Sequence, residues 1–200
     1  MDNFNPCSPN AFAQTNGSYA EIFEPLIIID NVQFKVHPRL ASSYAWSKDL
    51  KSITFTLRHG LKWSDGQPLT VQDVYYSAWT LPNSKNHGLC APNPSVAGST
   101  IVDPDKITVR LKTADVTQLF TNLQLAVYPQ HIFRTIKDFT TWVWTKPVGS
   151  GPFTEVKDFT PQAYEIDANP PSSACAWLCT PATTRVSWRS RPGRWTGRTS

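Results

Sequence analysis

The alternation of apolar and polar positions is sharpest at residues 53–58, where Ile53, Phe55 and Leu57 interleave with Thr54, Thr56 and Arg58. That period of two predicts a half-buried strand. Ser64, Asp65 and Gly66 follow as turn formers, with Gly66 free to take positive φ. Thr70 stands where a helix N-cap belongs, and Asp73, three residues on, places a carboxylate at the positive end of that helix. Val71, Val74, Tyr75 and Ala78 then recur at helical spacing. Further on, Ile101-Val102 and residues 107–111 flank Asp103-Pro104-Asp105-Lys106, which predicts a hairpin with Pro104 presetting φ at the turn. Val116, Leu119, Phe120, Leu123 and Val127 form a helical stripe across residues 115–127. Residues 26–29 have the length of a short buried strand, and residues 82–99, rich in Pro, Asn, Ser and Gly, read as a long loop. There is no internal repeat.

The block from residue 53 to residue 79 resembles the signature of the family 5 extracellular solute-binding proteins. These are the ABC-importer receptors for oligopeptides, dipeptides, nickel chelates and some oligosaccharides. The matching pieces, in order, are Leu57-Arg58, Gly60-Leu61-Lys62, the aromatic Trp63, the Asp65-Gly66 turn, Pro68-Leu69-Thr70 and Asp73-Val74-Tyr75-Tyr76-Ser77. Asn3-Phe4-Asn5-Pro6 with Glu24-Pro25-Leu26, then Pro38-Arg39-Leu40-Ala41 with Tyr44, Trp46 and Asp49, match the same family in the same order. Residues 147–153, which include Gly149, Ser150 and Gly151, resemble its re-entry strand, and Asn169-Pro170 is the last match. Asn3 to Pro6 and Lys62 to Gly66 lean toward the branch that includes cello-oligosaccharide receptors.

The resemblance implies an α+β, class II periplasmic-binding-protein-like first lobe with an inserted subdomain, the second lobe being missing. On that plan residues 1–37 begin the first lobe, 38–146 form the inserted α+β subdomain and 147–169 return to the first lobe. Pro38 and Pro147 mark the seams. The function implied is a truncated, non-catalytic substrate-binding component of an ABC transporter. Its partners would be a peptide or oligosaccharide ligand and the permease subunits, with no cofactor, and it would act outside the cytoplasm, in the periplasm or as a cell-surface lipoprotein. A non-functional remnant of such a receptor and a carbohydrate-active enzyme are the alternatives; the second lacks an identifiable acid/base carboxylate pair.

Charge changes this picture only at one end. The chain carries 19 Lys+Arg against 15 Asp+Glu, yet five of the arginines and none of the acids lie in residues 170–200. The basic character is therefore the tail's, and it does not make a nucleic-acid surface of the body. The tail shows no period of two or 3.6, and holds Trp177, Trp188, Trp195, Cys175 and Cys179. It reads as an out-of-frame translation of GC-rich DNA, with a natural basic disordered tail as the alternative. No run approaches the roughly 18 apolar residues of a membrane span. The first residues carry no basic and apolar leader, and Cys7 follows Asn-Phe-Asn-Pro rather than a lipidation box, so it is expected as a buried or half-buried free thiol.

The candidate chemistry is sparse. His37, His59, His87 and His131 have no metal-ligand spacing, and no metal site is expected. Ser150 between two glycines lacks the strand-turn-helix context of a nucleophile elbow. Asp65 and Asp73 are assigned to the turn and the helix cap, and Trp63 and Trp79 to the scaffold. Trp142 and Trp144, alternating before the re-entry strand, are the candidate ligand-binding residues, because flat aromatic faces bury sugar rings and peptide side chains well.

Overall fold

A computed structural model describes residues 3–9, 22–30, 32–33, 35–121, 123, 125–160, 163–168, 186–191 and 194–199. Its centre is an antiparallel sheet of four strands in the order β3-β4-β6-β5, comprising β3 (Ala41–Trp46), β4 (Ser52–Leu57), β5 (Val96–Asp103) and β6 (Lys106–Leu111). The predicted alternation holds: Ile53, Phe55 and Leu57 of β4 and Ile107, Val109 and Leu111 of β6 are all buried. On the other face Thr54 and Thr108, paired in register, bring their hydroxyls to 2.7 Å. The predicted hairpin at 103–106 joins β5 to β6. Its first strand starts at Val96, so the long loop is shorter than the Pro, Asn, Ser and Gly content of residues 82–99 implies. Pairing with β6 draws Val96 to Ser99 into the sheet in spite of that composition.

Helix α1 (Val71–Tyr75) lies across β5 and β6 and contributes Val71 and Val74 to the same core as Leu61, Trp63 and Leu69. It continues as a π-helical turn, Tyr76–Thr80, closed by Leu81 N–H donating to the Tyr76 carbonyl. Ser77 accounts for the widening. Its Oγ donates to the Asp73 carbonyl at 2.8 Å and accepts the Tyr128 N–H at 2.8 Å, so a side chain occupies the helical ladder.

β1 (Ile27–Asp30) and β2 (Lys35–Pro38) form a separate antiparallel pair, and Leu26, Ile27 and Ile29 enter the core of the central sheet. The stripe over 115–127 is corrected. Among the described residues of this stretch only α2 (Gln118–Thr121) is helical; Leu119, Leu123 and Val127 are buried as the stripe requires, but Val116 is exposed. Past α2 the chain pairs instead with residues 25–26, through a bridge between Pro25 and Ala126 and a bond from Leu26 N–H to the Leu125 carbonyl at 3.0 Å. Pro129 also disfavours a helical Tyr128. A second core gathers Phe4, Ile22, Phe23, Tyr76, Leu81, Phe133, Phe139 and Trp144. β7 (Phe153–Thr160), β8 (Ala163–Ala168), β9 (Val186–Arg191) and β10 (Arg194–Thr199) make a further antiparallel sheet, so strands occur in the basic tail where the residue pattern shows no period.

Candidate functional site

The first described residues act as a clamp on the segment that carries the two candidate tryptophans. Asn5 is fully buried; its Nδ2 donates to the carbonyls of Phe139 at 2.7 Å and Trp142 at 2.9 Å, and its Oδ1 accepts the Cys7 N–H at 2.9 Å. Asn3 Oδ1 accepts the N–H groups of Asn5 at 3.0 Å and Trp144 at 2.9 Å, while Phe4 N–H donates to the Trp144 carbonyl at 2.7 Å. Buried amides satisfied in this way fix a loop that has no regular secondary structure to hold it. The Asn-Phe-Asn-Pro string is legible as a motif, but its role as a clamp on residues far along the chain is not.

Trp142 and Trp144 stack on each other, with ring centroids 5.1 Å apart and planes inclined by 26°. Trp144 is 7% exposed, its ring edge-on to Phe133 at 5.4 Å and tilted against Phe23 at 5.7 Å. Trp142 is half-buried, held edge-on by Phe133 and Phe139. The two expected wall residues therefore occupy different depths: Trp144 backs the shelf and Trp142 forms its outer face. Between them Val143 is exposed.

Cys7 is not a free thiol. It forms a disulfide with Cys90, 83 residues away, and this corrects the expectation drawn from its sequence context. Nothing local to either cysteine announces the pairing; it becomes visible only once the 86–90 loop is seen lying along the N-terminal segment. Leu89 N–H donates to the Cys7 carbonyl at 2.7 Å, and Gly88, at φ +59°, passes so close that a Cβ there would sit 2.0 Å from that oxygen.

The best-matched block is structural, and it also carries the shelf. Trp63 is buried, and Gly66 takes φ +86° beside Asp65, whose Oδ1 accepts the Gln67 N–H at 3.0 Å. Thr70 and Asp73 form a capping box: Thr70 Oγ1 accepts the Gln72 N–H at 3.3 Å, and Asp73 Oδ2 accepts the Thr70 N–H at 2.8 Å. Both aspartates also reach helix α3 (Gln130–Phe133). Asp73 Oδ1 accepts the Gln130 N–H at 3.0 Å, and Asp65 Oδ2 lies 2.8 Å from His131 Nε2. The other end of α3 presents Phe133, the ring that both tryptophans meet. The spacing of the four histidines gives no sign of this role for His131, whose partner lies 66 residues away.

Gly149 and Gly151 stitch the returning chain to what precedes it. Gly149 exchanges bonds with Ser64, its carbonyl accepting the Ser64 N–H at 2.9 Å and its N–H donating to Ser64 Oγ at 3.2 Å. Gly151 N–H donates to the Ile22 carbonyl at 2.8 Å, and Ser150 Oγ accepts the Glu24 N–H at 3.1 Å. Burial pushes the Glu24 carboxyl up to about 7, against the pull of Arg39 and Arg58; the Arg39 guanidinium stands 3.8 Å away, too far to reverse it. Among the described residues no group of three or more His, Cys, Asp or Glu could hold a metal ion, and no helix is long and apolar enough to cross a membrane.

A putative ABC transporter peptide-binding protein of Brucella ovis is 31% identical over 175 residues, covering 84% of this chain and 32% of its own length. The chain thus spans about a third of the length of the curated relatives it matches first. The periplasmic oligopeptide-binding protein of an oligopeptide ABC transporter from Thermotoga maritima superposes with a TM-score of 0.78 at 25% identity, over 93% of this chain and 35% of that one. Its mannohexaose-bound form gives a TM-score of 0.76 at 22% identity, over 94% of this chain and 35% of that one. The family profile of the bacterial extracellular solute-binding proteins, family 5, middle region, matches residues 35–189, beyond the last motif at Asn169-Pro170, and the chain belongs to that family.

Proposed function

We propose that this chain is part of the substrate-binding component of an ABC transporter, and that it presents one wall of a solute cleft whose aromatic face is Trp142. The observation that carries this reading is the depth difference within the stacked pair. Trp144 and Phe133 pack against Trp142, while Trp142 itself stays only half-buried in a family of solute receptors. A rigid aromatic surface of that kind suits a sugar ring or a peptide side chain and costs little conformational freedom on binding.

The inserted subdomain on this reading comprises residues 38–146, and the first lobe comprises 1–37 and 147–169. The bonds from residues 150–151 to residues 22–24 join the two parts of that lobe, and those between Gly149 and Ser64 reach across to the subdomain, in keeping with this division. The solute is a peptide or an oligosaccharide; the Brucella relative is named for peptides, and the Thermotoga structure holds mannohexaose. The other partners are the permease subunits, to which a closed, loaded receptor is presented. An extracytoplasmic location fits the Cys7–Cys90 disulfide, since such bonds persist in oxidising compartments.

One wall buries only part of a solute, so affinity for this chain by itself is expected on the order of millimolar. Tryptophan emission titrated with tri- to hexapeptides and with cello- and manno-oligosaccharides tests the reading. Saturable quenching by one class, abolished in Trp142→Ala, supports it. No saturable change with either class removes its support.

A further inference from the structure

We infer that the Cys7–Cys90 disulfide is a redox-sensitive latch that sets the position of the Trp142–Trp144 shelf. Three segments distant in sequence are tied into a closed ring. The 86–90 loop is bound to the N-terminal segment by the disulfide and by Leu89 N–H to the Cys7 carbonyl. The N-terminal segment is bound to the 139–144 segment through Asn5 and Asn3. The 139–144 segment returns to the loop through Phe139 N–H, which donates to the Asn86 carbonyl at 3.2 Å.

Cys7 sits at the junction. Its N–H is held by the same Asn5 side chain that holds the Trp142 carbonyl, so displacement of Cys7 is transmitted to Trp142 through a single amide group. None of the three segments belongs to a sheet at this point, and the central β3-β4-β6-β5 sheet is not part of the ring. Opening the bond therefore loosens the shelf while leaving the main core intact.

The two sulfurs differ in access. Cys7 is 0% exposed, whereas Cys90 is half-buried, so an incoming thiolate meets Cys90 first. With a dithiol reductant, one thiolate attacks Cys90 Sγ, the Sγ–Sγ bond breaks, and Cys7 leaves as a thiolate that takes up a proton. The reductant's second thiol then attacks the mixed disulfide and releases Cys90. The reductant ends as a disulfide, and the protein has gained two electrons and two protons. Once Cys7 is a thiol, the loop is retained only by hydrogen bonds, and the close passage of Gly88 over the Cys7 carbonyl is no longer enforced covalently. The proposal stands on this geometry and does not require that Trp142 touch a solute.

The stacked indoles provide the test, because two rings 5.1 Å apart couple excitonically and give a paired circular-dichroism band. The band is assigned by its loss in Trp142→Phe. Treatment of the 200-residue chain with dithiothreitol, with alkylation mapped at Cys7 and Cys90 because the chain also contains Cys175 and Cys179, should reduce the band by at least about half. Amide-exchange protection in β4 and β6 should stay unchanged, and reoxidation should restore the band. Cys7→Ser/Cys90→Ser should resemble the reduced form with or without reductant, and a monothiol reductant should be trapped as a mixed disulfide on Cys90, with Cys7 the thiol set free. A band that persists with both thiols free overturns the proposal. Loss of β4 and β6 protection together with the band does so too, since the bond would then be a global staple rather than a latch.

Discussion

The side-chain amide of Asn5 donates to the backbone carbonyl of Trp142 at 2.9 Å, across 137 residues of sequence. The first residues of the chain therefore position an aromatic shelf far along it in sequence. Asn5 uses both ends of its amide, donating twice and accepting once, in a fully buried site. Asn5→Ala should leave the Phe139 carbonyl and the Cys7 N–H without this partner, and the Trp142 carbonyl with only the longer bond from Asn3 Nδ2 at 3.4 Å, and cost about 3 kcal/mol, since each buried polar group left unpaired costs about 1–3 kcal/mol. Urea unfolding of the chain measures this; a loss below about 0.5 kcal/mol would show that the clamp is not supporting the loop.

The capping box ranks its two members differently from the sequence pattern. From the residues alone, Thr70→Ala removes a cap worth about 1 kcal/mol, and Asp73→Asn removes only a charge near the helix start. In the structure Asp73 is buried, and its carboxylate serves the Thr70 N–H and, through its other oxygen, the Gln130 N–H. An asparagine can keep only one of these. Asp73→Asn should therefore cost about 2 kcal/mol, more than Thr70→Ala. Thermal unfolding of the two variants side by side gives the order directly.

Gly149 and Gly66 should respond unequally to an added methyl group. A Cβ at Gly149 would meet the Ile22 carbonyl at 2.1 Å, so Gly149→Ala must displace the returning chain from both Ile22 and Ser64. At Gly66 the space is open and only φ +86° is unfavourable, which limits Gly66→Ala to about 1–2 kcal/mol. Gly149→Ala should be the more damaging by a clear margin, and equal denaturation midpoints would contradict the close approach.

Glu24 should make the protein less stable as pH rises. Its folded-state value is raised to about 7 from an ordinary 4.5, chiefly by burial, so the folded state holds this proton more tightly than the unfolded chain does. Its contribution is most favourable below 4.5 and is lost as pH climbs through 7, a change of about 3 kcal/mol. Asp30, Asp49, Asp115 and Asp138 are shifted the other way by their local hydrogen bonds, and they lose their contribution as pH falls through their lowered values. Subtracting the pH profile of Glu24→Gln from that of the parent isolates the Glu24 term. A difference that is flat between pH 5 and 8 would contradict its burial.

The parts of this fold that could be read in the residues are those held by short-range rules. Alternation gave the buried faces of β4 and β6, Asp-Gly gave the turn at 65–66, and Thr70 with Asp73 gave the start of α1. What escaped depends on partners far away in sequence. The stripe at 115–127 names Leu119, Leu123 and Val127 correctly as buried but also Val116, which is exposed, and backbone pairing with residues 25–26 overrides the helix. The Cys7–Cys90 bond, the Asp65–His131 contact and the Asn5 clamp span 83, 66 and up to 137 residues, and no local pattern encodes them. Trp142 and Trp144 could be singled out by type and alternation. Their difference in depth could not: Phe133 meets both rings, and Phe23, which meets only Trp144 of the two, is far away in sequence.

That difference makes the sharpest prediction about the shelf. Trp144 is almost wholly enclosed, so Trp144→Ala should open a cavity and cost about 3–5 kcal/mol, disturbing Trp142 along with it. Trp142 is only half-buried, and Trp142→Ala should cost about 1–2 kcal/mol for the apolar area it loses. If Trp142 is the face that meets solute, the effects on binding are not in proportion to those on stability. Trp142→Ala should remove saturable binding from a protein that still unfolds cooperatively, and Trp142→Phe should retain part of both. Trp144→Phe, which keeps the packing volume better, should be milder for binding than Trp142→Ala in spite of altering a more buried ring. Calorimetric titration and thermal unfolding of the three variants supply both axes. Binding that survives Trp142→Ala undiminished would move the solute contact elsewhere on the lobe, and binding lost in strict step with stability would reduce the shelf to a packing element.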